Sequence, residues 1–366
     1  MKRIIEILRD NKIECFPNER FSLGVEMFPE NGENHIFPRY ALFENPDLKG
    51  GRKKVPDVSR SMFRYFLDGS QRSYRVIDAS FDRRYLPICA GQIGVAILER
   101  LEDKRLLVRR DLTKIENIIA VPNLIDEDNS EDLESKINKE IDSKFQFRIV
   151  RYKYDINEDS DPGDKGRAMI IHEMQMLELK TIREMINKNL IHPNHMLVKD
   201  GGLQYREAKI KNLNLTKDDL VQLRNVIGLA KTFNPNITLG RGRGREDLGN
   251  LVKNLEWKER STVICNNKDE LTPHGWWYLR LRPIDKIYSP LQGIVKIEIF
   301  ATGMEKEDGI SEARADTISS YVFLERNVTP FNADTRWASH IYPIYLTEMY
   351  LKSSFLSQNR FKALIF

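Results

Sequence analysis

Residues 62–100 read MFRYFLDGSQRSYRVIDASFDRRYLPICAGQIGVAILER, and this stretch decides the class of fold. It is rich in β-branched and aromatic residues and is interrupted at Asp68-Gly69, at Asp82-Arg83 and at Pro87. Runs of this kind, broken by turn-forming residues, are typical of consecutive antiparallel strands. The segments RLLVRR (105–110) and NIIAVP (117–122) continue the pattern, so we predict a β-meander after Ser61.

The composition of the chain excludes several classes of protein. Of its 366 residues, 41% are hydrophobic, which is enough to build a core and excludes wholesale disorder. The net charge of +4 does not by itself indicate nucleic-acid binding. The cysteines lie too far apart for a disulfide framework or a zinc site, and no apolar run approaches the roughly 20 residues that span a bilayer. These features favour a soluble protein of the reducing cytoplasm, without a membrane partner.

The N-terminal segment differs in texture from the meander. Residues 1–15 have apolar side chains at helical spacing and predict an amphipathic helix. Proline, glycine and asparagine punctuate the sequence from there to about residue 57. We therefore predict an N-terminal helical appendage over 1–57 and a main domain over 58–366.

The main domain continues with helices and strands. The acid-rich residues 126–143 predict a solvated helix or an insertion, which the loop-like residues 155–166 extend to about 126–166. Residues 167–188 predict a long helix with one buried face. Further strands, a Gly/Arg-rich loop and two helices follow in HMLVKDGG (195–202), NVIGLAKTF (225–233), GRGRGRE (240–246), GWWYLRLRP (275–283), GIVKIEIFA (293–301), SEARADTISSYVFLER (311–326) and YPIYLTEMYLKSSF (342–355). The simplest architecture is a mixed α/β domain.

Two of the predicted strands end in Asp-Gly, at Asp68 and at Asp200. Asp-Gly is a common turn pair, which gives one interpretation of both sites. In the other interpretation each strand delivers a carboxylate to the edge of a sheet, where two carboxylates share Mg²⁺ or Mn²⁺. The long helix between them carries further acids that could supply a third carboxylate: Glu173, Glu178 and Glu184.

A meander with an acid on its first strand, a helix with a glutamate and a later strand ending in aspartate together resemble the RNase H-like arrangement. Six blocks resemble, in order, those of the NurA nucleases: FLDGSQRS, LELKTI, LVKDGGLQ, VIGLAKTF, GWWYLRLRP…IVKIEIF and YPIYLTEMYLKSS. These scattered blocks cover roughly residues 60–355. NurA enzymes process DNA ends together with the hexameric HerA translocase. The resemblance implies an RNase H-like mixed sheet flanked by helices and a metal-dependent deoxyribonuclease.

The resemblance also assigns roles to individual acids and to one lysine. Asp68 and Asp200 match the two aspartates of the family. Glu178 matches the helix glutamate, with Glu173 as its competitor. Lys231 matches the lysine that closes a strand of the family, although a solvated strand-end lysine is the alternative interpretation.

The C-terminal block departs from the family pattern. Tyr342 and the proline that follows it match the terminal Tyr-Pro pair of the family. Many relatives carry a histidine eight positions after that tyrosine, where this chain has Tyr350. This departure puts a fourth metal ligand or an acid–base group in doubt, with His340 as a substitute candidate.

The residue types fit the chemistry that the resemblance implies. Two divalent ions about 4 Å apart can clamp the attacking and leaving oxygens when a phosphodiester is hydrolysed. We expect Asp68 to be the shared ligand of Mn²⁺ or Mg²⁺, with Glu178 and Asp200 completing the cage. Lys231 would lie near the scissile phosphate as a point charge.

Binding of DNA and of partners is expected at other segments. Arg241, Arg243 and Arg245 alternate with glycine in a loop that can follow a phosphate backbone, unless it is a plain solvated turn. The chain has no Walker A loop, so a motor would have to be a partner. The resemblance implies a homodimer docked on a HerA-like hexamer, in DNA repair or in antiviral defence. The N-terminal helix, with its stripe of Ile4, Ile5 and Leu8, is the candidate docking element, unless it packs on its own domain. The alternative function is a catalytically weak RNase H-like scaffold that tethers a translocase to DNA.

Overall fold

The computed structural model describes most of the chain. The described residues are 2–17, 40–46, 48, 51–81, 84–155, 157, 161–203, 205, 215–235, 237–239, 246–265, 273–327, 329 and 335–366. The α-helices are α1 Ile4–Asp10, α2 Glu127–Glu140, α3 Pro162–Asn187, α4 Lys217–Gln222, α5 Leu248–Lys253, α6 Glu305–Asp308, α7 Glu312–Leu324, α8 Tyr342–Ser354 and α9 Gln358–Ile365.

The β-strands are mostly short, apart from one long pair. They are β1 Cys15–Pro17, β2 Ala41–Leu42, β3 Glu44–Asn45, β4 Arg52–Lys54, β5 Phe63–Phe81, β6 Arg84–Arg100, β7 Leu106–Val108, β8 Lys114–Pro122, β9 Phe147–Tyr152, β10 Met196–Asp200, β11 Val226–Ala230, β12 Thr238–Leu239, β13 Glu246–Asp247, β14 Glu259–Ser261, β15 Ile264–Cys265, β16 His274–Arg280, β17 Ile294–Phe300 and β18 Ile310–Ser311.

The predicted α/β class is confirmed, because helices flank one large mixed sheet. Its central strands follow the order β8-β6-β5-β10-β11-β17-β16. The meander β5, β6 and β8 is antiparallel, whereas β10 is parallel to β5 and β11 is parallel to β10. The helix α3 connects the meander side of the sheet to β10 and covers one of its faces.

The strand β5 does not end at Asp68-Gly69, so this part of the prediction is wrong. It continues to Phe81 and pairs with β6 throughout, with Asp68 opposite Ala96. A side chain at position 69 would overlap the carboxylate of Glu178 on α3. The glycine therefore permits close approach of a helix side chain to the strand, and it does not mark a turn.

Successive side chains of β5 point to opposite faces of the sheet and pack in two different cores. Tyr65 and Leu67 pack with α3, whereas Phe66 packs on the opposite face of the sheet, where Ile344 of α8 and Ile318 of α7 lie. The same alternation holds for β10 and β11. One face of the central strands therefore faces α3, and the other faces α7 and α8.

The described strands of residues 1–57 pair with strands of the main domain. The strand β1 pairs with β5, β2 pairs with β15, and β4 pairs with β14. The apolar stripe of α1 is buried against α9 and its neighbours, with Leu8 only 1% exposed. The helix thus packs on its own domain, and its stripe is not available to dock a partner.

The segment predicted as an acidic insertion is also built into the sheet. Helix α2 buries Leu133 and Ile137, and β9 extends the sheet by pairing in parallel with β8. The predicted loop 155–166 is interrupted by the start of α3, because Asp161 accepts a hydrogen bond from the Gly163 amide at 2.7 Å and Pro162 suits the first turn.

Within the described ranges, no helix is both long enough and apolar enough to cross a bilayer.

Candidate active site

The two aspartates singled out in the sequence lie side by side at the centre of the sheet. Leu67 of β5 is the register partner of Lys199 on β10, so Asp68 and Asp200 follow at the same level on neighbouring parallel strands. Both point to the face that α8 covers, as the alternation along each strand requires. Lys231, the first residue after β11, donates a hydrogen bond from Nζ to Asp200 Oδ2 at 2.9 Å.

Two further side chains close the group from the C-terminal part of the chain. Glu348, on α8, lies with its Oε2 3.5 Å from Lys231 Nζ. His340, just before α8, has its Nε2 2.8 Å from the same Nζ and 3.1 Å from Glu348 Oε2. We call the five residues Asp68, Asp200, Lys231, His340 and Glu348 the central cluster.

The electrostatics of the central cluster are dominated by burial and by like charges. Asp68 is only 4% exposed; burial, followed by the negative charges of Asp200 and Glu348, raises its pKa well above the ordinary value. The hydrogen bond with His340 is the main cause that lowers the pKa of Glu348, against the opposing effect of burial. Burial lowers the pKa of Lys231, but Asp200 and Glu348 outweigh it, so the net pKa is raised and the amine stays charged.

Two carboxylate oxygens in the central cluster are buried without a hydrogen-bond partner among the described residues, Asp68 Oδ2 and Asp200 Oδ1. Buried polar atoms are nearly always paired, so each exception calls for a ligand or another explanation. Anionic oxygens are the donors that Mg²⁺ and Mn²⁺ prefer, which makes the pair suitable for such an ion. The described side chains do not by themselves form a closed group of three or more metal ligands. The Lys231 amine contacts both Asp200 and Glu348.

Glu178 approaches the same part of the sheet from the opposite face. Its carboxylate lies against Gly69, next to Asp68 in the chain. It forms an ion pair with Lys199 Nζ at 3.2 Å and accepts a hydrogen bond from the Tyr205 hydroxyl at 3.3 Å. Burial raises its pKa, while Lys199 acts in the opposite direction. The structure therefore brings Asp68 and Asp200 together on one face of the sheet and places Glu178 on the other face.

The other candidate residues lie outside this group. Glu173, the competitor of Glu178, pairs instead with Arg148 at 2.8 Å. Tyr342 is half exposed at the first turn of α8. Tyr350 packs against a small apolar cluster that contains Phe355.

The basic loop predicted to contact DNA falls in a part of the chain that the structure does not describe. Arg241, Arg243 and Arg245 all lie outside the described residues. Their role stays a prediction.

Glu348 is the residue of the central cluster that sequence reasoning missed. In α8 it shares one helix face with Ile344, Thr347 and Leu351, which are buried. A glutamate within such an i, i+3, i+4, i+7 stripe is a recognisable signal, because acids are almost never buried unless they are paired.

Comparisons of the chain with protein-family models and with curated proteins found no match.

Proposed function

We propose that this protein is a metal-dependent DNA nuclease of the NurA type, with an RNase H-like sheet. The observation that carries the proposal is the adjacent pair Asp68 and Asp200, whose buried oxygens Oδ2 and Oδ1 have no hydrogen-bond partner among the described residues. Glu178, the third acid that the resemblance names, lies against Gly69 on the opposite face of the sheet.

The topology supports the RNase H-like part of the proposal. An antiparallel meander, β5-β6-β8, is followed by α3 and then by β10 and β11, which run parallel to the first strand. The first strand lies at the centre of the order β8-β6-β5-β10-β11 and carries Asp68. The order of strands, helix and acids is the one on which the resemblance rests.

The residues of the site can divide the work of phosphodiester hydrolysis. Bound Mn²⁺ or Mg²⁺ would neutralise charge on the phosphate and activate water at neutral pH. Asp68 and Asp200 would hold the cation through their carboxylate oxygens, and Glu178, the third predicted ligand, would reach it only from the opposite face of the sheet, where it pairs with Lys199. Lys231 keeps a positive charge at Nζ that can pair with a non-bridging phosphate oxygen. His340 Nε2 lies 3.1 Å from Glu348 Oε2 and 2.8 Å from Lys231 Nζ; it donates to Glu348 when it carries a proton and accepts from Lys231 when it does not, so the imidazole can hold or pass a proton there.

The proposal extends to the setting in which the enzyme works. The arginines at 241, 243 and 245 would contact DNA phosphates without sequence preference. A homodimer and a HerA-like hexameric translocase are the proposed assembly, in DNA-end processing or antiviral defence in the cytoplasm. The enzyme would act as an exonuclease on DNA ends, as an endonuclease on single strands, or as both.

The first prediction tests this proposal through cleavage of DNA. Purified protein with Mn²⁺ should cut labelled single-stranded or linear duplex DNA, and EDTA should stop the reaction. Asp200→Ala should lower the rate by more than about 100-fold, beyond the 10–100-fold range typical of groups that only support a metal ligand. Glu173→Gln, which alters a carboxylate held by Arg148, serves as the matched control and should cleave like the wild type. Equal rates for Asp200→Ala and wild type at limiting Mn²⁺ would refute the site.

A specific observation keeps the scaffold function as a second candidate. Tyr350 stands where many relatives of the family carry a histidine, and the Lys231 amine already neutralises part of the negative charge of Asp200 and Glu348. A protein that binds DNA and a translocase, yet shows the same background cleavage in wild type and Asp68→Ala, would be this scaffold.

A further inference from the structure

We infer that Glu348, carried by α8, is a further cation ligand that acts together with Asp68 and Asp200. The inference rests on the proposed function and deepens it. Glu348 would take the place of the histidine that the resemblance leads one to expect at position 350 of the same helix.

Glu348 lies on the same face of the sheet as Asp68 and Asp200. Val198 of β10 and Leu229 of β11 belong to the same core as Ile344 of α8, and Asp200 lies two residues beyond Val198. Glu348 follows Ile344 by one helical turn, so its carboxylate lies over the part of the sheet that carries Asp68, inside β5, and Asp200, at the end of β10. Glu178, in contrast, reaches the strands from the α3 side.

The Lys231 amine contacts the carboxylates of both Asp200 and Glu348. Its Nζ lies 2.9 Å from Asp200 Oδ2 and 3.5 Å from Glu348 Oε2, so one cationic nitrogen already bridges these carboxylates. The point between Asp200 and Glu348 is therefore one that a positive charge occupies. A divalent ion bound there would have one oxygen from each residue within reach after a small shift of the flexible lysine side chain.

Asp68, on the same face of the sheet, is a buried carboxylate with one oxygen that is unpartnered among the described residues. Asp68 is 4% exposed, and its Oδ2 has no hydrogen-bond partner in the described part of the chain. The negative charges of Asp200 and Glu348 and the positive charge of Lys231 all act on Asp68. Lys231 and Lys352 balance the charges of Asp200 and Glu348, which leaves Asp68 as the carboxylate of this group without a cationic partner in the described part of the chain.

Glu348 is also oriented as ligands usually are. His340 contacts its Oε2 at 3.1 Å, and Lys352, one turn further along α8, donates to its Oε1 at 2.6 Å. Partners of this kind fix the direction of a carboxylate that ligates a metal. They also allow a purely structural role, in which Glu348 only anchors α8, so the test must separate the two.

The second prediction is measured as binding of Mn²⁺ to the full chain, by calorimetric titration and by the electron paramagnetic resonance signal of free Mn²⁺. Glu348→Gln keeps the shape of the side chain and removes its charge. It should weaken Mn²⁺ binding about tenfold or more, whereas the control Glu173→Gln should stay within about twofold of wild type. Thermal unfolding without metal checks that each variant is folded.

The outcomes separate this inference from the proposed function. If Glu348→Gln binds Mn²⁺ like the control while Asp68→Asn binds weakly, Glu348 is an anchor only, and the nuclease proposal is unaffected. A fall in the unfolding temperature with unchanged Mn²⁺ affinity overturns the inference in the same way. If the wild type neither binds Mn²⁺ or Mg²⁺ nor cleaves DNA, the proposed function fails as well.

A second variant covers the case in which Glu348→Gln does not fold. Glu348→Asp keeps the charge but withdraws the carboxylate by one methylene group. Weaker Mn²⁺ binding by this variant supports the inference, and wild-type affinity contradicts it.

Discussion

Asp68 combines the two properties that make a single residue worth testing at this site. It is almost fully buried, and burial together with the charges of Asp200 and Glu348 raises its pKa. Perturbed acids of this kind are concentrated at functional sites, because a group that must receive a cation is rarely the most stable choice for the empty protein. Replacing Asp68 should therefore stabilise the metal-free protein while it lowers the nuclease activity.

The third prediction concerns the stability of Asp68→Asn as a function of pH. Because the folded pKa lies above the ordinary value of 3.8, the folded state holds the proton more tightly than the unfolded state. This contribution to stability is complete below the unfolded pKa and is lost as the pH rises through the raised folded pKa. Without divalent ions, Asp68→Asn should thus be more stable than wild type at neutral pH, by about 1–3 kcal/mol, the typical cost of a buried unpaired polar group.

The measurement is urea unfolding of both proteins over a series of pH values in the presence of EDTA. The advantage of the variant should shrink as the pH falls and vanish where the aspartate is protonated in both states. A difference that does not change with pH would contradict the raised pKa. Excess Mn²⁺ should reverse the order at neutral pH, because only the wild type gains the full binding energy.

At the scale of elements, α1 shows how an amphipathic helix can be interpreted in two ways. The stripe of Ile4, Ile5 and Leu8 would suit a partner surface, yet it packs in the same cluster as Phe361 and Ile365 of α9. The chain thereby brings its N-terminal and C-terminal helices into one core. A helix of seven residues has little stability of its own, so tertiary packing must hold it.

The fourth prediction follows from this packing. Leu8→Ala removes a side chain that is 1% exposed and should lower the free energy of unfolding by about 2–5 kcal/mol. The control Lys2→Ala, whose side chain is 51% exposed, should change it by less than about 0.5 kcal/mol. Chemical denaturation gives both values. A stable Leu8→Ala protein that fails to bind a translocase would instead restore the docking role of the helix.

At the scale of the whole molecule, one buried ionic group connects parts that are distant in sequence. Arg260 of β14 is fully buried; its Nη2 lies 2.6 Å from Glu44 Oε1 of β3, and its Nε lies 2.7 Å from Asp316 Oδ1 of α7. Lys53 of β4 also pairs with Asp316, at 2.7 Å. The N-terminal strands, the sheet and α7 are thus held at one point.

The fifth prediction is that Arg260→Met destabilises the whole protein. It leaves the buried Glu44 without its cationic partner and Asp316 with Lys53 alone, and removing one partner of a buried ion pair typically costs about 3–5 kcal/mol. Arg105→Met, at a side chain that is 70% exposed, should have an effect below about 0.5 kcal/mol. Circular dichroism and intrinsic fluorescence should report one common unfolding transition for Arg260→Met. Separate transitions would show that residues 1–57 unfold as an independent appendage.

Local patterns in the sequence were sufficient for much of the secondary structure and for two of the acids. Alternation and turn residues indicated the strands around Asp68 and Asp200, and helical spacing indicated α3 and α8. These signals depend on neighbours within a few residues, so they are legible without a fold. The same locality explains the mistake at Gly69, which resembles a turn in sequence but lies inside a strand.

Only the tertiary structure decided which side chains meet. The sequence separates Glu348 from Asp68 by 280 positions, and nothing local relates them, yet α8 packs on the strands that carry the aspartates. The same holds for Arg260 with Glu44, and for α1 with α9, whose contacts join the two ends of the chain. Register and helix packing set these distances, because they arise from the burial of whole faces, a property of the folded chain that no short stretch of sequence contains.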